Sequence, residues 1–281
     1  MDSGNIGFVL LCAAFVFVMT PGLAMFYGGL VRKKNVVNTM MTSIFIIGIG
    51  IVMWVLFGYS LSFAPSGNAF IGDFRWLGLE GVSLTEGYTD DASIPNRVFS
   101  EFQMMFAVIT PALITGAVAG RMKFKSIFVF TIFWSLIVYY PLAHMVWGQG
   151  GLLGADGIGA LDFAGGDVVH ISSGVSALVL CILLGKRHDY EHSIYRIHNI
   201  PTVVLGASLL MFGWFGFNAG SALAADGLAA HAFMTTGVSA AAAMLSWMLC
   251  DVIKNKKPTL IGASTGMVAG LVGITPGAGF V

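Results

Sequence analysis

The chain has 281 residues and no net charge, and 57% of its residues are hydrophobic while only 10% are charged. A soluble domain carries about 25% charged residues, so this composition excludes an ordinary water-exposed surface. A neutral chain with few basic residues also argues against a nucleic-acid partner and against a polybasic membrane-surface role. The mean hydropathy of +0.85 points to an integral membrane protein.

Long uncharged runs alternate with short charged patches along the sequence. A helix needs about 20 apolar residues to cross a bilayer, and several runs meet that length. The eight predicted spans cover residues 6–31, 40–63, 99–120, 125–147, 168–185, 199–223, 229–250 and 259–280. The first run has no basic segment ahead of it, which favours a true span over a signal peptide. The expected fold is an all-α, polytopic transmembrane helical bundle that forms one domain over residues 1–281.

The basic residues predict the orientation of these spans. Twelve of the fourteen Lys and Arg follow the first, third, fifth and seventh spans, whereas Arg75 and Arg97 lie between the second and third. Cytoplasmic loops are enriched in Lys and Arg, so we expect these four loops inside and the N-terminus outside. Eight spans that begin outside also end outside, and the chain stops at Val281 without a polar tail. This ending suggests a truncated sequence.

His170 is the clearest ionisable residue at membrane depth. It lies near the start of the fifth span, with Ser173, Gly174 and Ala177 on its helix face. An ionisable side chain inside a membrane usually faces a cavity or a partner. A neutral imidazole can both donate and accept a hydrogen bond, so it could line a path for protons or amines. A structural histidine bonded to a backbone carbonyl fits the same position, and the sequence leaves both readings open.

Aromatic residues gather near the outer ends of the spans. Phe102 and Phe106 are four residues apart and share one helix face, Trp147 ends the fourth span, and Phe217 shares a face with Ser221. Each could belong to an interfacial aromatic belt. Together they could bind a small cation at about 0.5–2 kcal/mol per cation–π contact, with the serine hydroxyl accepting an N–H bond.

Asp162 stands just before the fifth span, in Asp-Phe-Ala-Gly-Gly166. A carboxylate there can cap the free N–H groups at the start of a helix and meet the positive end of its dipole. It could also attract cations to an outer vestibule. Capping is the preferred interpretation.

Three histidines and two acidic residues crowd the loop after the fifth span: His188, Asp189, Glu191, His192 and His198. No tight ligand set closes among them, so a solvated loop is the better interpretation. We expect neither a metal ion nor another cofactor.

Four segments, in order, are typical of one family: Pro21-Gly-Leu-Ala-Met-Phe-Tyr-Gly-Gly29, Ala143-His-Met-Val-Trp-Gly148, Asp162-Phe-Ala-Gly-Gly-Asp-Val-Val-His170 running on to Gly185-Lys-Arg187, and Gly213-Trp-Phe-Gly-Phe-Asn-Ala-Gly-Ser221. They resemble the ammonium transporter family (Amt/Mep/Rh), most closely its Amt branch. The resemblance implies a homotrimer in the cell membrane with one pore in each subunit. It also implies eleven spans, of which the first ten form two inverted repeats, the second incomplete in this chain.

The resemblance further implies the substrate, the partners and the site. Ammonium would be recruited at an outer aromatic site and deprotonated, and ammonia would cross a hydrophobic pore; methylammonium is a candidate substrate, and a PII-type signal protein a candidate cytoplasmic partner. The substrate-binding residues it implies are Phe102, Phe106, Trp147, Asp162 and Ser221. The gate and pore residues it implies are Phe106, Phe217 and His170, the last being the first of two pore histidines. The second histidine belongs to a span beyond residue 281.

Two other function classes stay open. A sensor would keep the ammonium site and signal without conducting, and a fused kinase or cyclase segment, which these residues do not contain, would favour it. An intramembrane enzyme would use His170 and Asp162 as acid and base. These two residues are eight positions apart and do not share a helix face, and no nucleophile or metal set joins them, so we do not expect an enzyme.

Overall fold

The computed structural model describes residues 1–155, 157–187, 190 and 195–281. The loop weighed above as a metal site therefore falls largely outside the description, because His188, Asp189, Glu191 and His192 are not among these residues. His198 is described, and its side chain is exposed.

The described residues form eight helices that are long and apolar enough to cross a membrane, and they contain no strand. In chain order the helices are α1 (Ser3–Leu30), α2 (Lys33–Phe63), α3 (Asn96–Val118), α4 (Phe124–Trp147), α5 (Gly166–Leu184), α6 (Ile200–Gly220), α7 (Gly227–Asn255) and α8 (Leu260–Gly277). The predicted all-α, polytopic fold class is confirmed. The central helix is α3, with 83% of its apolar segment buried.

Two helix boundaries differ from the predicted ones by more than a turn. Helix α2 begins at Lys33 because a 3-10 turn, Lys33–Asn35, runs directly into the α-helix, so charged residues open a helix whose apolar part starts later. Helix α7 continues to Asn255, past the apolar run. Its last turn is held by Asp251, which accepts a hydrogen bond from the Thr259 hydroxyl at 2.7 Å, and it ends where Lys256 takes a left-handed conformation.

Glycines let α1 and α6 pack backbone to backbone. A methyl group at Gly206 would lie 2.3 Å from the Phe26 nitrogen, and one at Gly29 would lie 2.7 Å from the Val203 nitrogen. Small residues at helix contacts allow this close approach in membranes, where packing rather than the hydrophobic effect holds helices together. We call this contact the α1–α6 seam.

Hydrogen bonds between loops sort the helix ends into two faces. At one face, which we call the N-terminal face, Asp2 donates to the Ser93 carbonyl at 2.8 Å, and Ala225 donates to the side chain of Asn5 at 2.9 Å. At the far end of α1, Asn199 donates to the Gly29 carbonyl at 3.1 Å. We call this second end the basic face, because the loops there carry twelve of the fourteen Lys and Arg.

Three helices contain a π turn, a local widening that often marks functional sites. These turns are Trp54–Gly58 in α2, Ser135–Tyr139 in α4 and Gly166–Ile171 at the start of α5. The first turn packs beside the residue that follows the second, since a methyl group at Gly58 would lie 2.7 Å from the Tyr140 ring. The third turn carries His170.

The α1–α6 seam makes a stability prediction. Gly206→Ala should lower the free energy of unfolding by about 1–3 kcal/mol, because the new methyl group has no room against the α1 backbone. The measurement is thermal unfolding of purified protein in detergent. Gly48→Ala is the matched control, since its methyl group meets nothing within 4 Å, and it should be neutral or slightly stabilising. Equal midpoints for the two variants would contradict a tight seam.

Candidate functional site

A cleft of about 570 Å³ opens at the N-terminal face. Its walls include Phe106 from α3, Trp147 from the end of α4, Asp162 from the loop before α5, and Ser221 just after α6. The structure thus brings together, from four separate elements, four of the five residues assigned to substrate binding. The aromatic rings supply π faces, and the carboxylate and hydroxyl supply acceptors.

Phe102, the fifth residue of that set, does not line the cleft. It is fully buried behind Phe106, with ring centroids 4.9 Å apart, and a methyl group at Gly220 would lie 2.8 Å from its ring. The neighbouring Gln103 lines the cleft in its place. The Gln103 side-chain oxygen is buried and has no hydrogen-bond partner among the described residues.

Below the cleft, two packed phenyl rings separate it from the interior of the protein. The centroids of Phe106 and Phe217 are 4.3 Å apart with their planes tilted by 35°, and both side chains are buried. Phe106 also meets the Trp147 ring edge-on at 6.0 Å. We call the Phe106–Phe217 pair the phenyl barrier.

His170 lies on the other side of the phenyl barrier. Its ring stacks at 6.0 Å on Phe217, with an interplanar angle of 16°, and at 5.3 Å on Trp214. It lines a second cavity, of about 470 Å³, together with Ser173, Gly174 and Ala177. The second cavity reaches the basic face, where Arg187 and Tyr195 form part of its wall.

The π turn at the start of α5 orients His170. Gly165 has a φ of 111°, a conformation that favours glycine. Its carbonyl accepts a hydrogen bond from the backbone N–H of His170, five residues later, at 3.0 Å. The imidazole Nε2 is buried and has no hydrogen-bond partner among the described residues. A buried polar atom without a partner is costly in a folded protein, so one facing a cavity suggests a ligand or water there.

The Asp162 carboxylate binds four consecutive backbone N–H groups. Oδ1 accepts from Gly165 and Gly166, both at 2.6 Å, and Oδ2 accepts from Asp167 at 2.8 Å and Val168 at 3.0 Å. Burial raises the pKa of this carboxyl above its ordinary value, and the four donors limit the rise because they favour the ionised form. Asp162 therefore caps the start of α5 while also facing the cleft.

The Asp162 backbone holds a second wall of the cleft. Its carbonyl accepts from the indole Nε1–H of Trp147 at 3.0 Å, so one residue fixes both the start of α5 and the position of the tryptophan ring. Tyr88, in the loop before α3, completes that side of the cleft, and burial raises its pKa to about 12, so the phenol stays neutral.

Sequence reasoning missed Gln103 and Tyr88, which line the outer cleft, and Trp214, whose ring stacks on His170. Trp214 lies three positions before Phe217, on the same helix face, so its spacing could have identified it. Gln103 and Phe102 are adjacent, and helical spacing cannot decide which of two neighbours at the edge of a face meets the cleft. Tyr88 reaches the cleft through loop folding, which carries no periodic signal.

Chemically, this arrangement can bind a small cation at one face, block water and ions at its centre, and offer an imidazole beyond the block. The aromatic walls attract cations, and buried phenyl rings oppose the passage of any hydrated charge. An imidazole can pass on a proton or hydrogen-bond a small amine.

Comparison with known proteins gives a consistent result. Residues 7–281 match the model of the Ammonium Transporter Family. An "Ammonium transporter" of Bacillus subtilis is 53% identical over 281 residues, an alignment that covers 100% of this chain and 68% of the relative. An "Ammonium transporter" of Mycobacterium bovis is 45% identical over 98% of this chain and 62% of its own length.

Solved structures show the same likeness. The crystal structure of Saccharomyces cerevisiae Mep2 has a TM-score of 0.90 and 38% identity, and the match covers 100% of this chain and 62% of Mep2. A structure titled "Sensor Amt Protein" has a TM-score of 0.88 and 29% identity, covering 99% of this chain and 69% of the other. The chain thus spans about two thirds of the length of the proteins it matches.

The four bonds to Asp162 make a testable prediction. Asp162→Asn should lower the free energy of unfolding by about 2–4 kcal/mol, because the amide nitrogen cannot accept and two buried N–H groups lose their partner. Thermal unfolding in detergent is the measurement. Asp226→Asn is the control, since Asp226 caps α7 through one N–H, at 2.9 Å, and asparagine caps as well as aspartate. Equal losses in both variants would count against a special role for Asp162.

Proposed function

We propose, since the chain belongs to the ammonium transporter family, that it carries ammonium or ammonia across a membrane. The observation that carries this proposal is the phenyl barrier, which separates a cleft at one face from a histidine-lined cavity at the other. A barrier of this kind stops hydrated ions and can be crossed by a small neutral molecule.

Recruitment is the first proposed step. Ammonium enters the cleft at the N-terminal face and exchanges part of its water shell for the rings of Phe106 and Trp147 and the hydroxyl of Ser221. That hydroxyl donates to the Phe217 carbonyl at 2.8 Å, which leaves its lone pairs free to accept an N–H bond. The Asp162 carboxylate supplies negative charge below the rings. In this proposal Phe102 supports the Phe106 ring from behind rather than touching the cation.

Deprotonation at the phenyl barrier is the second proposed step. Ammonium that loses a proton there becomes ammonia, which is small and neutral enough to pass between Phe106 and Phe217. Potassium has no proton to lose and stays excluded by the cost of desolvating its charge. Selectivity then comes from proton chemistry and not from size.

His170 acts immediately after the barrier in this proposal. Its free Nε2 faces the region that ammonia must enter and is available to accept a proton or a hydrogen bond. The stacking on Phe217 and Trp214 holds the ring in that position. The family resemblance implies two pore histidines, and the proposal assigns His170 as the first of them.

The membrane arrangement is also a proposal. The basic face would be cytoplasmic by the positive-inside rule, which puts the N-terminus and the recruitment cleft outside the cell membrane. Residues 1–281 would form a single transporter domain within a homotrimer. A PII-type signal protein would approach from the cytoplasmic side.

A sensor is the second candidate function. One structural neighbour with a TM-score of 0.88 is titled "Sensor Amt Protein", so this fold is also found in a protein described as a sensor. The curated relatives at 53% and 45% identity are named transporters, which favours conduction. Neither candidate is an enzyme.

The pore role of His170 predicts a loss of flux. His170→Ala should lower ammonium flux about tenfold or more, because the acceptor beyond the barrier is gone. The measurement is ammonium-triggered pH change in proteoliposomes, with thermal unfolding as the folding check. His198→Ala, an exposed histidine on the basic face, is the control. Unchanged flux with unchanged exclusion of potassium in folded His170→Ala would refute the role.

The recruitment role of Trp147 predicts a loss of affinity. Trp147→Leu should raise the KM for ammonium about three- to thirtyfold, which corresponds to the loss of one cation–π contact. The concentration dependence of the same signal measures it. Phe133→Leu is the control because Phe133 lies on the same helix with an exposed ring. A KM that does not change in folded Trp147→Leu would place recruitment elsewhere.

A further inference from the structure

His144 is a buried histidine in the last turn of α4 and lines neither cavity. Its two ring nitrogens each face a backbone carbonyl. Nδ1 lies 3.1 Å from the oxygen of Ser62, and Nε2 lies 2.8 Å from the oxygen of Asn68. Both distances are those of hydrogen bonds.

A carbonyl oxygen accepts hydrogen bonds and cannot donate them. A neutral imidazole carries one N–H, so it could satisfy one of these carbonyls while its other nitrogen would turn a lone pair toward the second oxygen. An imidazolium carries an N–H on both nitrogens and satisfies both. The geometry around His144 is therefore that of the charged form.

Two helix ends favour a positive charge at this point. Ser62 belongs to the last turn of α2, and His144 belongs to the last turn of α4. The last carbonyls of a helix lack helical partners and form the negative end of its dipole. His144 meets one such end through its ring and is part of the other, which offsets the cost of burying its charge.

Among the described residues, no carboxylate bonds to the His144 ring. The elements packed on the last turns of α4, and the loop that carries Asn68, hold these titratable groups: Tyr59, Tyr139, Tyr140, Asp73, Asp167 and His170. The Tyr59 hydroxyl donates to the side chain of Asn96, and Asp73 pairs with Arg75 at 2.6 Å. Within the described part of the chain, the imidazole thus has the two carbonyls as its hydrogen-bond partners and no carboxylate.

The contacts that follow His144 lead directly to the recruitment cleft. The same turn ends with Trp147, whose indole donates to the Asp162 carbonyl. Gln149 then donates from its backbone to the Tyr88 hydroxyl at 3.1 Å. Two aromatic walls of the cleft therefore extend from the helix end that His144 ties down.

We propose that His144 is a buried imidazolium that clips α4 to the end of α2 and to the loop at Asn68, and that it is a positioning residue for Trp147. The proposal of the clip rests only on the hydrogen-bond geometry of the two ring nitrogens. Its effect on substrate affinity rests on the proposed transport function. Since the charged ring is surrounded by carbonyls, it acts on the cleft by holding the helix end and not by contact with the substrate.

The protonation state is tested first, on the unmodified chain. Histidines labelled with nitrogen-15 are observed by solid-state NMR in lipid at about pH 7.5, where an exposed imidazole is mostly neutral. The expected result is one histidine with protons on both ring nitrogens and cross-peaks to the carbonyl carbons of Ser62 and Asn68. Neutral-tautomer signals at those two carbonyls would overturn the clip.

The positioning role is tested with His144→Gln, whose two N–H donors sit on a single nitrogen and so cannot replace both ring nitrogens. We expect the KM for ammonium to rise about fivefold with a smaller change in maximal rate. Amide exchange should also accelerate at Gly72 and Leu152, which bond to Leu61 and Ala69 beside the clip. His198→Gln, an exposed histidine, should change neither quantity.

The two readouts separate the two proposals. Unchanged KM and unchanged amide exchange in folded His144→Gln would overturn the positioning role. If the unmodified chain transports no ammonium, the transport proposal fails, while NMR and amide exchange still decide the clip. If His144→Gln does not fold, the NMR experiment on the unmodified chain alone decides whether the clip exists.

Discussion

The four N–H bonds to the Asp162 carboxylate are the constraint on which the site depends. They fix the first turn of α5 as a π turn, and that turn sets the direction of His170 toward Phe217. The carbonyl of the same residue holds the Trp147 indole. One residue, through its carboxylate and its backbone carbonyl, therefore sets the position of groups on both sides of the phenyl barrier. A carboxylate serves here because it can accept from several donors at once, as no neutral side chain of that size can.

Around that anchor, one cavity opens at each face of the protein, and the phenyl barrier lies between the two cavities. The cavities of about 570 and 470 Å³ are separated by a short aromatic zone that consists of the phenyl barrier and the rings stacked on it. The centre of the proposed path is therefore apolar. An apolar zone penalises a charge far more than a small neutral molecule. This asymmetry is the physical basis of the proposed selectivity for a species that can change its charge.

Hydropathy predicted the eight spans because the charges that interrupt them are few and clustered. It placed the start of α2 and the end of α7 poorly, since charged residues open or close these helices. The candidate site residues could be named because the segments that carry them resemble those of the family. Phe102 and Gln103 show the limit of that reasoning, since Gln103 lines the cleft while Phe102 beside it packs against Gly220. The π turn of α2 packs through Gly58 against Tyr140, a tertiary contact that leaves no periodic signature in the sequence.

The α1–α6 seam limits which motions of the protein can be fast. Helices that touch through backbone atoms have few alternative packings, so sliding one past the other would break many contacts at once. The two cavities therefore cannot easily open in turn by rocking of this helix pair. What can move between them is a pair of phenyl rings. Side-chain rotation is faster than collective helix motion by orders of magnitude. In the proposed pathway, the frame would therefore stay fixed during each passage while the rings of the phenyl barrier rotate.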